Sequence, residues 1–339
     1  MKKIIYFAIA PLVLLSSCSK DRDYNTTAPT ASISQAKLFT SSNTTGKVSY
    51  LDLVAAGATV KSFTINSLDS DGVLYNNATD EVVVASRSNN KLEVYSNVTA
   101  AANSNATSLM MSAASTSDFS NARETAVSGD KIIVAQDQSA ANGNTNKFVV
   151  YQKFASGVVS FSASYTLNFK VWAMQMVGNT LYAVADLTGD LLVFDNFLSN
   201  PSGSIMPTKR VTIQGLIRTH GLTFSEIDNR MILTDVGSAT IDSDGGVIVI
   251  NNFTSVISST PNLGTVATSS QVRIYGPNST LGNPVDVAYD SNSKKIYVAE
   301  RLNAGGRVLT FPVPVSSSDM APEAARAEPG VSSIFLFRN

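Results

Sequence analysis

Residues 284–313 read PVDVAYDSNSKKIYVAERLNAGGRVLTFPV. Three short apolar runs alternate with polar punctuation. Residues 284–289 lead in, Ser291-Asn292-Ser293 turns, 295–299 form a second run, and Gly305-Gly306 opens a third that ends at Phe311. Val, Ile, Tyr and Phe between clusters of Asn, Asp, Ser and Gly are the pattern of antiparallel strands joined by tight turns. A unit of this kind cannot bury its apolar faces alone and must stack against others like it.

Looser copies occupy the chain upstream: 37–40 with 46–51, 81–85 with 91–95, 131–135 with 147–151, 180–184 with 190–194, and 230–234 with 246–250. Leu38, Val82, Ile132, Leu181, Met231 and Ile296 hold equivalent places, so the units lie 44, 50, 49, 50 and 65 residues apart. A period near fifty without a Trp-Asp signature predicts an all-β, six-bladed β-propeller with four-stranded antiparallel blades. Innermost strands are expected at 72–75, 124–127, 171–176, 221–224 and 285–289, and outer strands at 61–65, 108–111, 160–165, 209–213 and 271–275. No amphipathic helix is expected beyond one or two turns at 322–327, and Trp172 and Phe224 read as packing within blades.

The first unit lacks an innermost strand. Residues 331–337 are the expected donor, closing the ring by pairing the N- and C-terminal segments, with the last blade taking its outer strand from around Glu323 to Glu328. The alternative makes 331–337 the outer strand of the last blade. Closure matters because an unpaired edge leaves backbone donors and acceptors exposed.

Within the last unit, 281–290 resembles the entry into the inner strand, and 295–300 and 306–311 the second and third strands, of the NHL and gluconolactonase-like families of six-bladed propellers. For gluconolactonase-like enzymes the resemblance implies a divalent cation at the channel mouth, held by a Glu with Asn and Asp residues. The matching positions here include Arg123, Lys170, Arg218, Thr219 and Asn283, and basic groups repel a cation, so no metal quartet carries over.

The chain has 339 residues, 44% apolar and 15% charged, with a formal net charge of -1. That excludes the basic field of a nucleic-acid binder. His220 is the sole histidine and Cys18 the sole cysteine. Intramolecular disulfides are excluded, and both Cys-His catalysis and a zinc site of usual composition are disfavoured. A Ser-His-Asp arrangement would have to use His220, and no Gly-x-Ser-x-Gly elbow accompanies it.

Residues 1–17 combine Lys2 and Lys3 with an apolar run too short to span a bilayer, which predicts an export signal. Leu15-Ser16-Ser17-Cys18 resembles the lipobox of bacterial lipoproteins, which implies a lipid anchor on Cys18. Ser19 to Asp23 resembles the tag that sends lipoproteins of the Bacteroidetes group to the cell surface. The expected layout is a signal peptide at 1–17, a lipidated cysteine and flexible tether at 18–34, and one propeller domain at 35–339. The expected address is the outer membrane, facing the cell surface, with the periplasmic face as the alternative.

In a propeller, loops joining second to third strands share a face with loops entering the next inner strand. Binding residues tend to sit on such loops held by a rigid scaffold. That face collects Arg87, Asn89, Asp137, Asp186, Arg218, His220, Asn283 and Arg301 as candidate ligand-binding residues. His220, Asp235 and Glu300 are the catalytic candidates. The expected function is a binding or scaffold protein recognising a glycan, peptide or envelope partner. The alternative is a lactonase-like hydrolase or lyase dependent on a divalent cation. No cofactor is expected, while an oxygen-ligated calcium or magnesium ion stays open.

Overall fold

The computed structural model describes residues 34–339, so the signal segment, Cys18 and the tether as far as residue 33 lie outside the described residues. Six antiparallel sheets form a six-bladed β-propeller. From the inside outward, the first blade is Val331–Arg338, Ala36–Ser42, Lys47–Asp52 and Lys61–Thr64. The second is Ser70–Asn76, Glu81–Ser86, Lys91–Ser96 and Met111–Ala114. The third is Ala122–Ser128, Lys131–Gln136, Asn146–Lys153 and Val159–Leu167. Val171–Val177, Thr180–Ala185, Asp190–Phe194 and Lys209–Ile213 make the fourth. Thr219–Ser225, Arg230–Asp235, Gly246–Asn251 and Val272–Tyr275 make the fifth. The sixth is Pro284–Asp290, Lys295–Glu300, Arg307–Pro312 and Ala324–Ala327.

The C-terminal strand closes the ring from the inside. It pairs with the first strand of the domain from Ala36↔Arg338 to Ser42↔Val331. The last blade completes itself with Ala324–Ala327 against Arg307–Thr310. The stretch read as a turn or two of helix is therefore strand, because its backbone groups finish a ladder that would otherwise end in solvent.

Apolar packing lies between blades. Val73, Tyr75, Val82 and Val84 of the second blade meet Phe39, Val48 and Tyr50 of the first. Equivalent clusters join each remaining neighbouring pair, including the sixth blade to the first through Tyr297, Val308, Leu38 and Ile334. Each strand thus buries alternate residues against opposite neighbours, which is how a period of two becomes a ring rather than a sandwich.

The connections between third and fourth strands do more than turn. Asn97, Asn196 and Asn252 take left-handed backbone angles, which Asn tolerates better than most residues. The residue after each, Val98, Phe197 or Phe253, is buried and donates its amide to the carbonyl of Asp80, Asn179 or Asn229. Short helices follow at Val98–Ala102 and Phe253–Ser259, too brief for a 3.6-residue period to show in the sequence. These connections then lay parallel pairings on the outer edge of the preceding blade. Gly203–Ser204 adds to the third blade and Thr265–Val266 to the fourth, giving each five strands. Single bridges Thr64↔Ser108 and Ile274↔Ser318 do the same for the first and fifth. Ser108 is taken up by that bridge, which is why the second blade's outer strand begins at Met111 rather than at the expected 108.

Among the described residues, no helix is long and apolar enough to cross a membrane.

Candidate functional site

Every inner strand begins with a break in register. The pairing skips between Ser70 and Val73, Ala122 and Glu124, Val171 and Met174, Thr219 and Leu222, and Pro284 and Asp286, and in the closing blade between Ser41 and Ser42. A β-bulge re-aims the extra residue out of the ladder. Here Asp71, Arg123, Trp172, His220, Val285 and Ser332 sit at these breaks, and all six line one cavity of about 300 Å³ at the channel mouth. Arg87, Arg218, Arg301, Asn283, Asn43 and Asp69 add to its polar wall.

One residue further along each inner strand lies the waist of the channel. Gly72, Ala173 and Gly221 are small there, and a Cβ on Gly221 would stand 2.9 Å from the Cα of Asp286. Glu124, Asp286 and Ser333 fill the remaining space, with Ser333 Oγ 3.0 Å from Asp286 Oδ2 and 3.4 Å from each Glu124 oxygen.

The mouth is cationic. Arg123 donates to Asp137 at 2.8 Å and 3.2 Å, with Lys170 Nζ 3.5 Å from the other oxygen of that carboxylate. Arg218 Nε donates to Asp186 Oδ1 at 2.8 Å, and Arg87 lies 3.4 Å from Asp71. Arg301 has no carboxylate within ion-pair distance among the described residues, and burial lowers its pKa. A guanidinium stays protonated even so. The mouth is therefore lined by four guanidiniums against the carboxylates of Asp69 and Asp71.

His220 stacks flat on Trp172, with ring centroids 3.6 Å apart, and the Arg123 guanidinium lies 4.3 Å from the indole centroid. The imidazole Nε2 is 3.1 Å from Asp186 Oδ1. Burial opposes ionisation of Asp186, but hydrogen bonds from His220 and Arg218 hold it below the usual carboxylate range. Asp186 therefore accepts from His220, whose Nδ1 is left as a buried acceptor without a partner. Burial pulls the His220 pKa down to about 4, so the ring is neutral near pH 7. Asp71 moves the other way. Burial outweighs Arg87, Arg123 and Arg301 and pushes it up to about 7. Asp71 Oδ1 and Asn283 Oδ1 are also buried without partners.

Five of the residues expected at this face meet at the mouth: Arg87, Arg218, His220, Asn283 and Arg301. Asp137 and Asp186 stand behind them and fix the basic groups. Asn89 turns away to donate to Glu93 at 2.7 Å. Asp235 and Glu300 have a structural occupation. Asp235 accepts from the amides of Ile217, Arg218 and Gly237 and from the Tyr275 hydroxyl. Tyr275 reaches it across Gly246, where any Cβ would fall inside the phenol ring. Glu300 accepts from the amides of Gly282, Asn283, Leu302 and Asn303. Both end a second strand and gather the loops around them. Asp69 and Asp71 escaped the sequence reading, and Trp172, expected to pack within its blade, lines the mouth instead. For Asp71 and Trp172 the signal is the single-residue break in alternation at the start of each inner strand.

Among the described residues, no group of three or more His, Cys, Asp or Glu is placed to hold a metal ion. The carboxylates at the mouth are largely committed to guanidiniums, so its donor set does not fit the calcium or magnesium site of gluconolactonase-like enzymes.

No family model matches the chain, and no curated protein matches its sequence. Solved structures do share its fold. A candidate 6-phosphogluconolactonase from Bacteroides fragilis is 9% identical, with a TM-score of 0.59 over 91% of this chain and 99% of that one. The periplasmic gluconolactonase of Pseudomonas aeruginosa is 10% identical, with a TM-score of 0.58 over 89% and 98%. A chain of the nidogen/laminin complex is 13% identical, with a TM-score of 0.59 over 89% and 98%. The fold is shared with gluconolactonase-like proteins. At these identities the similarity carries the architecture alone.

Proposed function

We propose that the channel mouth takes a small polyhydroxylated anion of the sugar-acid or phosphosugar class, and that it opens the corresponding lactone with water. The observation that carries this reading is Arg301, a partly buried guanidinium facing the cavity without a carboxylate of its own. An unmatched guanidinium fork is the group best shaped to hold a carboxylate or phosphate. The unpartnered Asn283 Oδ1 beside it suits a ligand hydroxyl. Asp71, with a pKa near 7, is the base. Water attacks the lactone carbonyl and gives its proton to Asp71. The guanidiniums steady the oxyanion, the ring C–O bond breaks, and the proton passes to the leaving alkoxide.

The test is acid release from glucono-1,5-lactone and 6-phosphogluconolactone. Turnover by the full chain is expected to survive a chelator. Asp71→Asn lowers kcat by about a hundredfold, and Arg301→Ala raises KM by about tenfold. Acid release no faster than in buffer sinks the hydrolase. Binding of gluconate or 6-phosphogluconate without turnover would leave a binding protein for a glycan, peptide or envelope partner. That second reading is favoured by one observation: His220, Asp235 and Glu300 are all engaged in internal hydrogen bonds.

We also propose, on the sequence of residues 15–23, that the domain is tethered at the outer membrane through lipid on Cys18. Cys18→Ser is expected to abolish incorporation of labelled fatty acid and release the protein from the membrane fraction. Continued labelling of that variant defeats the assignment.

A further inference from the structure

The channel has a second end of opposite chemistry. Beyond the waist, the inner strands open into a cavity of about 430 Å³. Met174, Leu222, Phe224 and Phe335 form much of its wall, and no lining residue is Lys, Arg or His. Its floor is the Glu124–Asp286 pair, whose residues are 7% and 5% exposed. Thr125 also lines it, 5% exposed, with a hydroxyl that has no hydrogen-bond partner. Glu226 stands exposed at the rim beside Ile227. The size is that of a small-molecule site, and an apolar wall with a few convergent polar groups is the usual construction.

We propose that this end of the channel binds a small organic cation, an alkylammonium whose charged head sits on the Glu124–Asp286 pair and whose apolar body lies against Met174, Leu222 and Phe224. Two carboxyl groups buried this close cannot both ionise cheaply. Burial, and then each other's charge, raise Glu124 well above its ordinary range, and burial raises Asp286. A proton therefore stays with the pair near neutral pH, and an ammonium head supplies the charge that this proton supplies in the free protein. Thr125 Oγ1 offers the head a further acceptor. A bare divalent ion suits the site less well, because it needs six or more oxygen ligands and the walls are apolar.

The groups facing the pair are acidic or neutral: Asp71 from the second blade, Ser333 from the closing strand, and Glu226 at the rim. The bases at this end are already engaged: Arg230 and Lys294 by Asp228, with Arg230 also donating to the Tyr289 hydroxyl, Lys153 by Glu81, Lys295 by Glu323 and Arg338 by Asp290, while Lys131 donates to Gln152. The waist separates the two cavities, so this inference stands or falls apart from the anion reading of the arginine mouth.

The test is calorimetry of the full chain with hexylammonium chloride at pH 6 and pH 8.5, in buffers of different ionisation enthalpy. Affinity is expected to rise with pH and binding to release protons. Hexanol and hexanoate are expected to bind about tenfold more weakly or worse. Glu124→Gln reduces both affinity and proton release. Because that variant also loses a contact to the closing strand, Ile227→Lys serves as a second probe. It changes a residue that is 81% exposed and places a like charge at the rim, so it weakens hexylammonium while sparing hexanol. Equal binding of hexanol and hexylammonium overturns the proposal, as does absence of binding at pH 8.5 or an affinity indifferent to pH.

Discussion

A chain that stops at residue 330 loses its cooperative thermal transition. The missing segment is the innermost strand of the first blade, and it is held from several sides. It pairs with Ala36–Ser42 along its length. The amide of Ile334 donates to Asp286 Oδ2 at 2.7 Å, and Ser332 Oγ donates to the Ser70 carbonyl at 2.6 Å. Val331 and Ile334 are buried where the sixth blade meets the first. Burying two such side chains contributes about 1.5 to 3 kcal/mol each, before the loss of a full ladder of backbone bonds is counted. A domain's whole stability is about 5 to 15 kcal/mol, so the deletion removes a sum of that order. Circular dichroism melting and gel filtration of the truncated chain check this. A transition unchanged from that of the intact protein would show that the ring does not depend on its closing strand.

Thermal stability is also expected to fall as pH rises from 6.5 to 8.5. Asp71, Glu124 and Asp286 are buried with folded pKa values above those of an unfolded chain. Between the two sets of values the native state holds protons that the unfolded state has shed. Stability from these groups is greatest below about pH 4, their unfolded range, and is lost as pH climbs through the folded values. His220 acts in the opposite sense. Its folded pKa of about 4 lies below the unfolded 6.5, so it costs stability in acid and returns about 0.4 kcal/mol between pH 6.5 and 8.5 as the unfolded imidazole sheds its remaining proton. Between pH 6.5 and 8.5 the three carboxyl groups together outweigh that opposing contribution. Asp71 alone accounts for about 1 kcal/mol over that interval, or a few degrees in Tm. Asp71→Asn is expected to flatten the profile in part, and Glu124→Gln further. A Tm that holds level or rises over this range refutes the assignment.

The ring was legible because its signals repeat. Apolar runs at near-constant spacing, with Asn, Asp or Gly between them, specify blades whatever the loops do. The missing first strand could be matched to 331–337 because a closed sheet tolerates no unpaired member. The site was legible only in part. Asp235 and Glu300 are carboxylates at strand ends on the functional face, and a sequence does not tell whether such a group meets a ligand or, as here, collects backbone amides. Asp71 and Trp172 hide in strands that otherwise alternate well. A bulge shifts one residue toward the axis, and that shift is visible only when the starts of all the inner strands are laid side by side. Glu124 and Asp286 face each other across the ring from 162 residues apart in sequence, since 286 minus 124 is 162. Only the closure of the ring brings them together.

The parallel pairings on the outer edges bear on how copies of this protein tolerate crowding. On the first, third, fourth and fifth blades, a neighbour's loop already occupies part of the outermost strand. A flank trimmed in this way gives an arriving polypeptide little free ladder to extend. At high concentration, copies of this chain would accordingly find little to zip onto along these four blades.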